Sequence, residues 1–171
     1  MGVMEVKKRK KYFKPYNIIN GKSVTIMWDY KPVFKTNLKG EEIETPFGVW
    51  QEHTFDFIPE LSDIKKVVLN YYNQKIDQKI LNGLVWNNMK IWLSSENQFN
   101  YKAAYDLAFQ TNGANLPIYF KFGDETEPVY HEFKTLEELS DFYITSISYI
   151  QSILQKGWTE KEKIDWNVFQ N

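Results

Sequence analysis

The sequence predicts an α+β fold, in which a β-rich N-terminal piece precedes a compact domain of helix, hairpin, helix, strand pair and helix. Three observations predict it. Short strand candidates crowd the first 60 residues, apolar residues recur at three- and four-residue spacing in the runs after Ser62, and turn or capping residues separate those runs. A chain of 171 residues fits one core with a small appendage. The expected division is a basic, mobile arm over residues 1–16, a β-rich attachment piece over 17–61 and an α+β domain over 62–171.

In the N-terminal piece, Ser23 to Tyr30 is a strand candidate that should end before Pro32, because proline cannot donate to a ladder. Asn37-Leu38-Lys39-Gly40 is a turn signal. From Phe47 to Phe57, Val49, Phe55 and Phe57 share one parity with His53 between them, and Trp50, Thr54 and Asp56 share the other. Two or three strands are expected here, closed by Pro59.

The helical signals begin at Ser62, an N-cap followed by Asp63 at the positive end of the helix dipole. Ile64, Val67, Val68, Tyr71, Tyr72, Ile76 and Ile80 give one amphipathic helix ending at Asn82-Gly83. Leu84-Val85-Trp86 and Met89 to Leu93 flank Asn87-Asn88, a pair tolerant of positive φ. A two-residue hairpin follows, with 86 opposite 89. A second helix is expected from Asn97 to Gln110, with Asn100, Ala103, Ala104, Leu107 and Ala108 on its packed stripe. Leu116 to Phe122 and Val129 to Phe133 form a strand pair joined across Gly123-Asp124-Glu125-Thr126-Glu127-Pro128. Thr135-Leu136-Glu137-Glu138 is a capping box. The helix it opens carries Leu139, Phe142, Tyr143, Ile147, Ile150, Ile153 and Leu154 inward and should stop at Gly157, with a short last helix after Thr159.

Chemistry is sparse. There is no cysteine, hence no disulfide, thiolate site or cysteine nucleophile. No apolar run approaches a membrane span, and no apolar segment follows the N-terminal charges as in a secretory signal. Of the two histidines, His131 shares parity with Val129 and Phe133 and reads as structural; His53, beside Glu52 and near Asp56, is the better catalytic suspect but lacks a nucleophile context. No phosphate loop, dinucleotide fingerprint or nucleophile elbow is present. The expectation is a non-enzyme without catalytic residues, cofactor or metal.

Two other constellations point to contacts. Aromatic residues make up 17% of the chain; such rings can fill a core in large units, and Tyr and Trp also suit contact surfaces that are apolar on one side and wet on the other. Trp86 and Trp92 on the hairpin, with Phe99 and Tyr101 at the next helix start, are the candidate partner contacts, although burial is the commoner fate of such rings. Lys7, Lys8, Arg9, Lys10 and Lys11 against Glu5 make residues 1–11 carry +4, so that a net charge of -1 leaves -5 on the remainder. Such a run, followed by Tyr12, Phe13 and Tyr16, has the parts to touch phosphates and bases. The preferred reading is a solvated, mobile arm that pairs with acidic surface on a neighbouring subunit or merely repels itself, because five charges at one terminus are not a surface stripe.

The run from Lys79 to Asn100, with Gly83 after the helix, Trp86 on the first strand, Asn87-Asn88 in the turn and Ser94, Gln98 and Asn100 opening the next helix, resembles the domain-of-unknown-function family 4376 of tailed phages and prophages. Downstream, the strand pair, the Thr-Leu-Glu-Glu helix start and the charged last helix follow the same order, so the likeness spans about Ser62 to Asp165. The basic arm and the β-rich first 60 residues lie outside that pattern. The resemblance implies a structural or adaptor component of the phage tail or tail-fibre region, made in the host cytoplasm and carried in the virion. It would act through contacts with other phage structural proteins and with copies of itself. A fibre-assembly chaperone that leaves before maturation is one alternative. A glycan-binding receptor module drawing on Trp86 and Trp92 is another.

Overall fold

The computed structural model describes residues 3–123 and 126–170. It is an α+β protein with three α-helices and eight strands in antiparallel sheets among the described residues. The chain divides into two compact units, residues 1–72 with 163–171, and residues 73–162. The division falls inside a helix instead of at Ser62, and the last nine residues join the first unit, both unlike the sequence expectation.

The first unit is a four-stranded sheet in the order β1-β4-β3-β2, made of β1 (Met4–Arg9), β2 (Tyr16–Ile19), β3 (Ser23–Thr36) and β4 (Glu42–Phe55). Residues expected to form a free basic arm are thus a strand, with Arg9 opposite Phe47 and Met4 opposite Glu52. Strand β3 does not end before Pro32. Shifts in register between Trp28 and Lys31 and between Pro32 and Phe34 place the proline at an irregularity, where its missing N–H breaks no regular ladder. Asn37 builds the turn to β4: its Oδ1 accepts from the backbone of Lys39 at 2.8 Å and of Glu41 at 3.0 Å, and Gly40 supplies a φ of +82°.

Strand parity sets the two faces of this sheet. Val24, Ile26, Trp28 and Phe55 pack against Ile64, Val68 and Tyr72 of α1 (Leu61–Asn82) and against Phe169 of a 3-10 turn over Trp166–Phe169. On the opposite face Trp50 is fully buried against Phe13, which follows a 3-10 turn at Lys10–Tyr12, and lies near Tyr30. Gly48 has no side chain because the Tyr30 ring occupies that space. Helix α1 begins at Leu61, not after a Ser62 cap. The Asp63 carboxylate accepts from the Glu60 backbone N–H at 3.3 Å, which places the N-cap at Glu60 instead of Ser62.

The second unit contains the end of α1, a hairpin of β5 (Leu84–Trp86) and β6 (Met89–Ile91), α2 (Ser95–Gln110), a second hairpin of β7 (Ile118–Gly123) and β8 (Pro128–Phe133), and α3 (Leu136–Glu162). The Asn87-Asn88 turn has φ of +47° and +61°, which gives the strand twist a two-residue hairpin needs, and Trp86 pairs with Met89 as the sequence predicts. The middle of the β7–β8 connection, Asp124 and Glu125, lies outside the described residues.

Two helix expectations are corrected. In α2 the buried residues are Tyr101 and Ala108, with Tyr105 packed beside them, while Asn100, Ala103 and Leu107 face out. The two tyrosine rings remove more apolar area from water than the Ala and Leu stripe would, so the helix turns that face inward. In α3 the helix does not stop at Gly157. The missing side chain there is taken up by Ile76 of α1, so Gly157 allows close helix packing instead of termination, and the helix runs on through Thr159 to Glu162. Beyond the glycine, Glu160 pairs with Lys75 at 3.5 Å and Lys161 donates to Asn73 Oδ1 at 2.9 Å.

Candidate functional site

The four aromatic candidates separate into two pairs. Trp86 is 5% exposed and Tyr101 is 4% exposed, and both are core residues that cannot anchor a partner from these positions. The Trp86 ring packs on Phe133 and Phe142, and its indole N–H donates to Asp141 Oδ2 at 2.9 Å. Tyr101 packs between Phe120 and Phe142, and burial pushes its hydroxyl up to about 12. The parity of β5 explains this: positions 84 and 86 point inward and Val85 outward. Trp92, at 40% exposure, and Phe99, at 71%, remain on the surface.

The motif that carried the resemblance works as a local fastener. Ser94 Oγ caps α2 by accepting from the Asn97 backbone at 3.2 Å. Asn97 Nδ2 donates to the Trp92 carbonyl at 2.9 Å, and Gln98 Nε2 to the Leu93 carbonyl at 2.8 Å. The end of the hairpin is thereby tied to the helix start, with Trp92 and Phe99 on the ordered segment on either side of the cap. Further exposed aromatics of this unit were not singled out by sequence: Phe109 on α2, Tyr119 and Tyr130 on the outer face of β7–β8, and Trp158 on α3. For the β hairpin the signal was available in strand parity, since Tyr119 and Tyr130 alternate with the buried Phe122 and the half-buried Phe120 and His131.

The basic run sits at the edge of the four-stranded sheet. Lys8 reaches Glu52 at 3.7 Å, and Lys10 reaches Glu44 at 3.2 Å, a hydrogen bond that holds its ammonium above the ordinary value. Lys11 lies over the Tyr12 ring at 5.1 Å. Lys7 and Arg9 point to the other side of the strand from Lys8, the side of Glu5, whose carboxylate accepts from Gln51 Nε2 at 3.1 Å. They have no acidic partner among the described residues.

The two histidines belong to different units. His131 Nε2 lies 2.9 Å from Glu138 Oε1, with its ring edge-on to Trp86 and Phe133. His53 lies edge-on to Phe55, its Nδ1 buried without a protein partner, and burial lowers its pKa. Neighbouring Glu52 points to the opposite face of β4, toward Lys8. Among the described residues no three His, Asp or Glu side chains come together as a metal site, and no helix is long and apolar enough to cross a membrane. Comparison with family models, with curated proteins and with solved structures finds no match.

Proposed function

We propose that this chain is a structural or adaptor component of a tailed-phage particle, in the tail or tail-fibre region, working through protein–protein contacts. The observation that carries the contact reading is the set of large apolar side chains left exposed outside the core. Trp92 and Phe99 flank a capped and hydrogen-bonded helix start, so they are presented in a fixed geometry instead of on a mobile loop. Rigid aromatic side chains lose little entropy on being covered, which suits them to anchor an interface. The phage part rests on the ordered likeness read from the sequence between about Ser62 and Asp165.

A glycan-binding role loses half its basis with Trp86, whose polar edge is already occupied by Asp141. Mass spectrometry of purified particles tests the main reading, with a fixed stoichiometry of this chain as the expected result. Abundance in infected cells with absence from particles would replace it with the assembly chaperone. Trp92→Ala with Phe99→Ala should reduce incorporation while changing stability by only about 0.5 kcal/mol per site, because surface substitutions remove little packing.

A further inference from the structure

We infer that the outer edge of β1 is a strand-addition site for an acidic extended segment of a partner protein. Strand β1 ends the sheet order β1-β4-β3-β2, and no described strand pairs with its outer side. An end strand offers a row of backbone donors and acceptors that a further strand can complete. Its side chains decide which strand. Of six residues in Met4–Arg9, three are cationic, and Lys10 and Lys11 continue the run.

The sheet satisfies only part of this charge. Lys8 and Lys10 are held by Glu52 and Glu44 of the neighbouring β4, and Glu5 is held by Gln51. Lys7 and Arg9 are left exposed on one side of the strand, two residues apart, which is the repeat at which an added strand presents its own side chains to that side. Opposite charges across neighbouring strands stabilise the pair and like charges oppose it. The edge therefore repels the same edge of another copy and admits an acidic strand. The opposite edge of the sheet, β2, reads Tyr16-Asn17-Ile18-Ile19 and carries no charge, so the selectivity belongs to β1 alone.

The inference deepens the adaptor reading and rests on it for the existence of a partner. Particle composition tests that reading and peptide binding tests the edge, so each can fail alone. The probe is a labelled eight-residue peptide of alternating glutamate and valine, titrated into the full-length protein by fluorescence anisotropy, beside the same peptide N-methylated at alternate backbone nitrogens and an oligothymidylate of matching charge. Expected is saturable binding of the plain peptide that weakens as salt is raised and disappears on N-methylation. Lys7→Glu with Arg9→Glu should weaken it by about tenfold. Lys22→Glu with Lys39→Glu, an equal charge change elsewhere in the unit, should leave it nearly unaltered, and circular dichroism checks that both variants fold. Undiminished binding of the N-methylated peptide would reduce the effect to bulk charge and overturn the proposal. So would absence of peptide binding, tighter binding of the oligonucleotide with the same variant dependence, or a second copy occupying the edge in sedimentation experiments.

Discussion

The two units bury tryptophan in different ways. In the unit of residues 73–162, the Trp86 indole N–H meets Asp141, and the buried Ser146 hydroxyl donates to the Phe142 carbonyl. In the sheet unit, Trp28 Nε1, Tyr30 Oη, Trp50 Nε1, Glu52 Oε2 and His53 Nδ1 are all buried without a hydrogen-bond partner from the protein, although Glu52 Oε2 lies within ion-pair range of Lys8. A polar group taken from water and left unmatched costs about 1–3 kcal/mol. The sheet unit therefore spends part of its apolar burial on offsetting those groups, and two 14-residue strands, paired along most of their length with two shifts in register, hold it together. The helical unit has a core complete in itself. It is expected to be the more resistant to local opening.

The largest effect that sharpens this contrast is at Phe142, fully buried among Trp86, Tyr101, Phe120, Phe122 and Phe133. Phe142→Ala should destabilise by about 3–5 kcal/mol through lost burial and a cavity. Hydrogen exchange should then show protection lost across residues 73–162 and largely kept in β3 and β4. Equal loss in both units would mean that they unfold as one, and the contrast would have no thermodynamic content. Next in size is Asp141→Ala, which strands the Trp86 N–H and should cost about 1–3 kcal/mol. Asp141→Asn, which keeps an acceptor, should recover most of that loss in urea titrations.

How much of this was legible beforehand depends on how local the cause is. The Asn87-Asn88 hairpin and its register, the Asn37 to Gly40 turn and the Ser94 region follow from backbone preferences of a few residues, and they stand where the sequence puts them. Gly157 and the face of α2 did not, because the decisive neighbours, Ile76 for the glycine and the rings of Phe120 and Phe142 for Tyr101, come from distant parts of the chain. Pro32 was read as a terminator because a bulge depends on the partner strand. The candidate site divides by the same rule. Strand parity could have assigned Trp86 to the core, but only the sheet order reveals that Lys7 to Arg9 lie on an edge strand instead of a free arm.

Acid should act on the sheet unit through His53, whereas alkali should act on both units. Burial holds His53 below its ordinary value of 6.5, so folding favours the neutral ring. That contribution is complete above pH 6.5 and is lost as pH falls through the lower folded value. In the helical unit, burial raises Tyr101 from 10.0 to about 12, so folding favours the protonated phenol. Its contribution is complete below pH 10 and is lost as pH climbs toward 12. Tyr71 is also raised, by burial and its hydrogen bond to Asp29, so the sheet unit has an alkaline limb of its own. Exchange measured at pH 5 should loosen the sheet unit first, and His53→Phe should move that acid limb to lower pH. Tyr101→Phe should flatten the alkaline limb of residues 73–162 and leave the acid limb in place.

The smallest effect is the most discriminating, because its expected sign is unusual. Tyr30 packs its ring against Phe13 at 5.0 Å and over Gly48, while its hydroxyl is buried without a partner. Tyr30→Phe preserves the ring and removes the unmatched oxygen. Stability should therefore stay unchanged or rise by up to about 1 kcal/mol, whereas deleting a hydroxyl that is hydrogen-bonded lowers it by about that amount. Urea denaturation of the two proteins at neutral pH decides the matter. A gain places the sheet unit below its own optimum at this residue, as the contrast with the Trp86 and Asp141 pair requires. A loss above 1 kcal/mol would show that the hydroxyl is satisfied in solution, and the difference between the units would then have to rest on Trp28, Trp50 and His53.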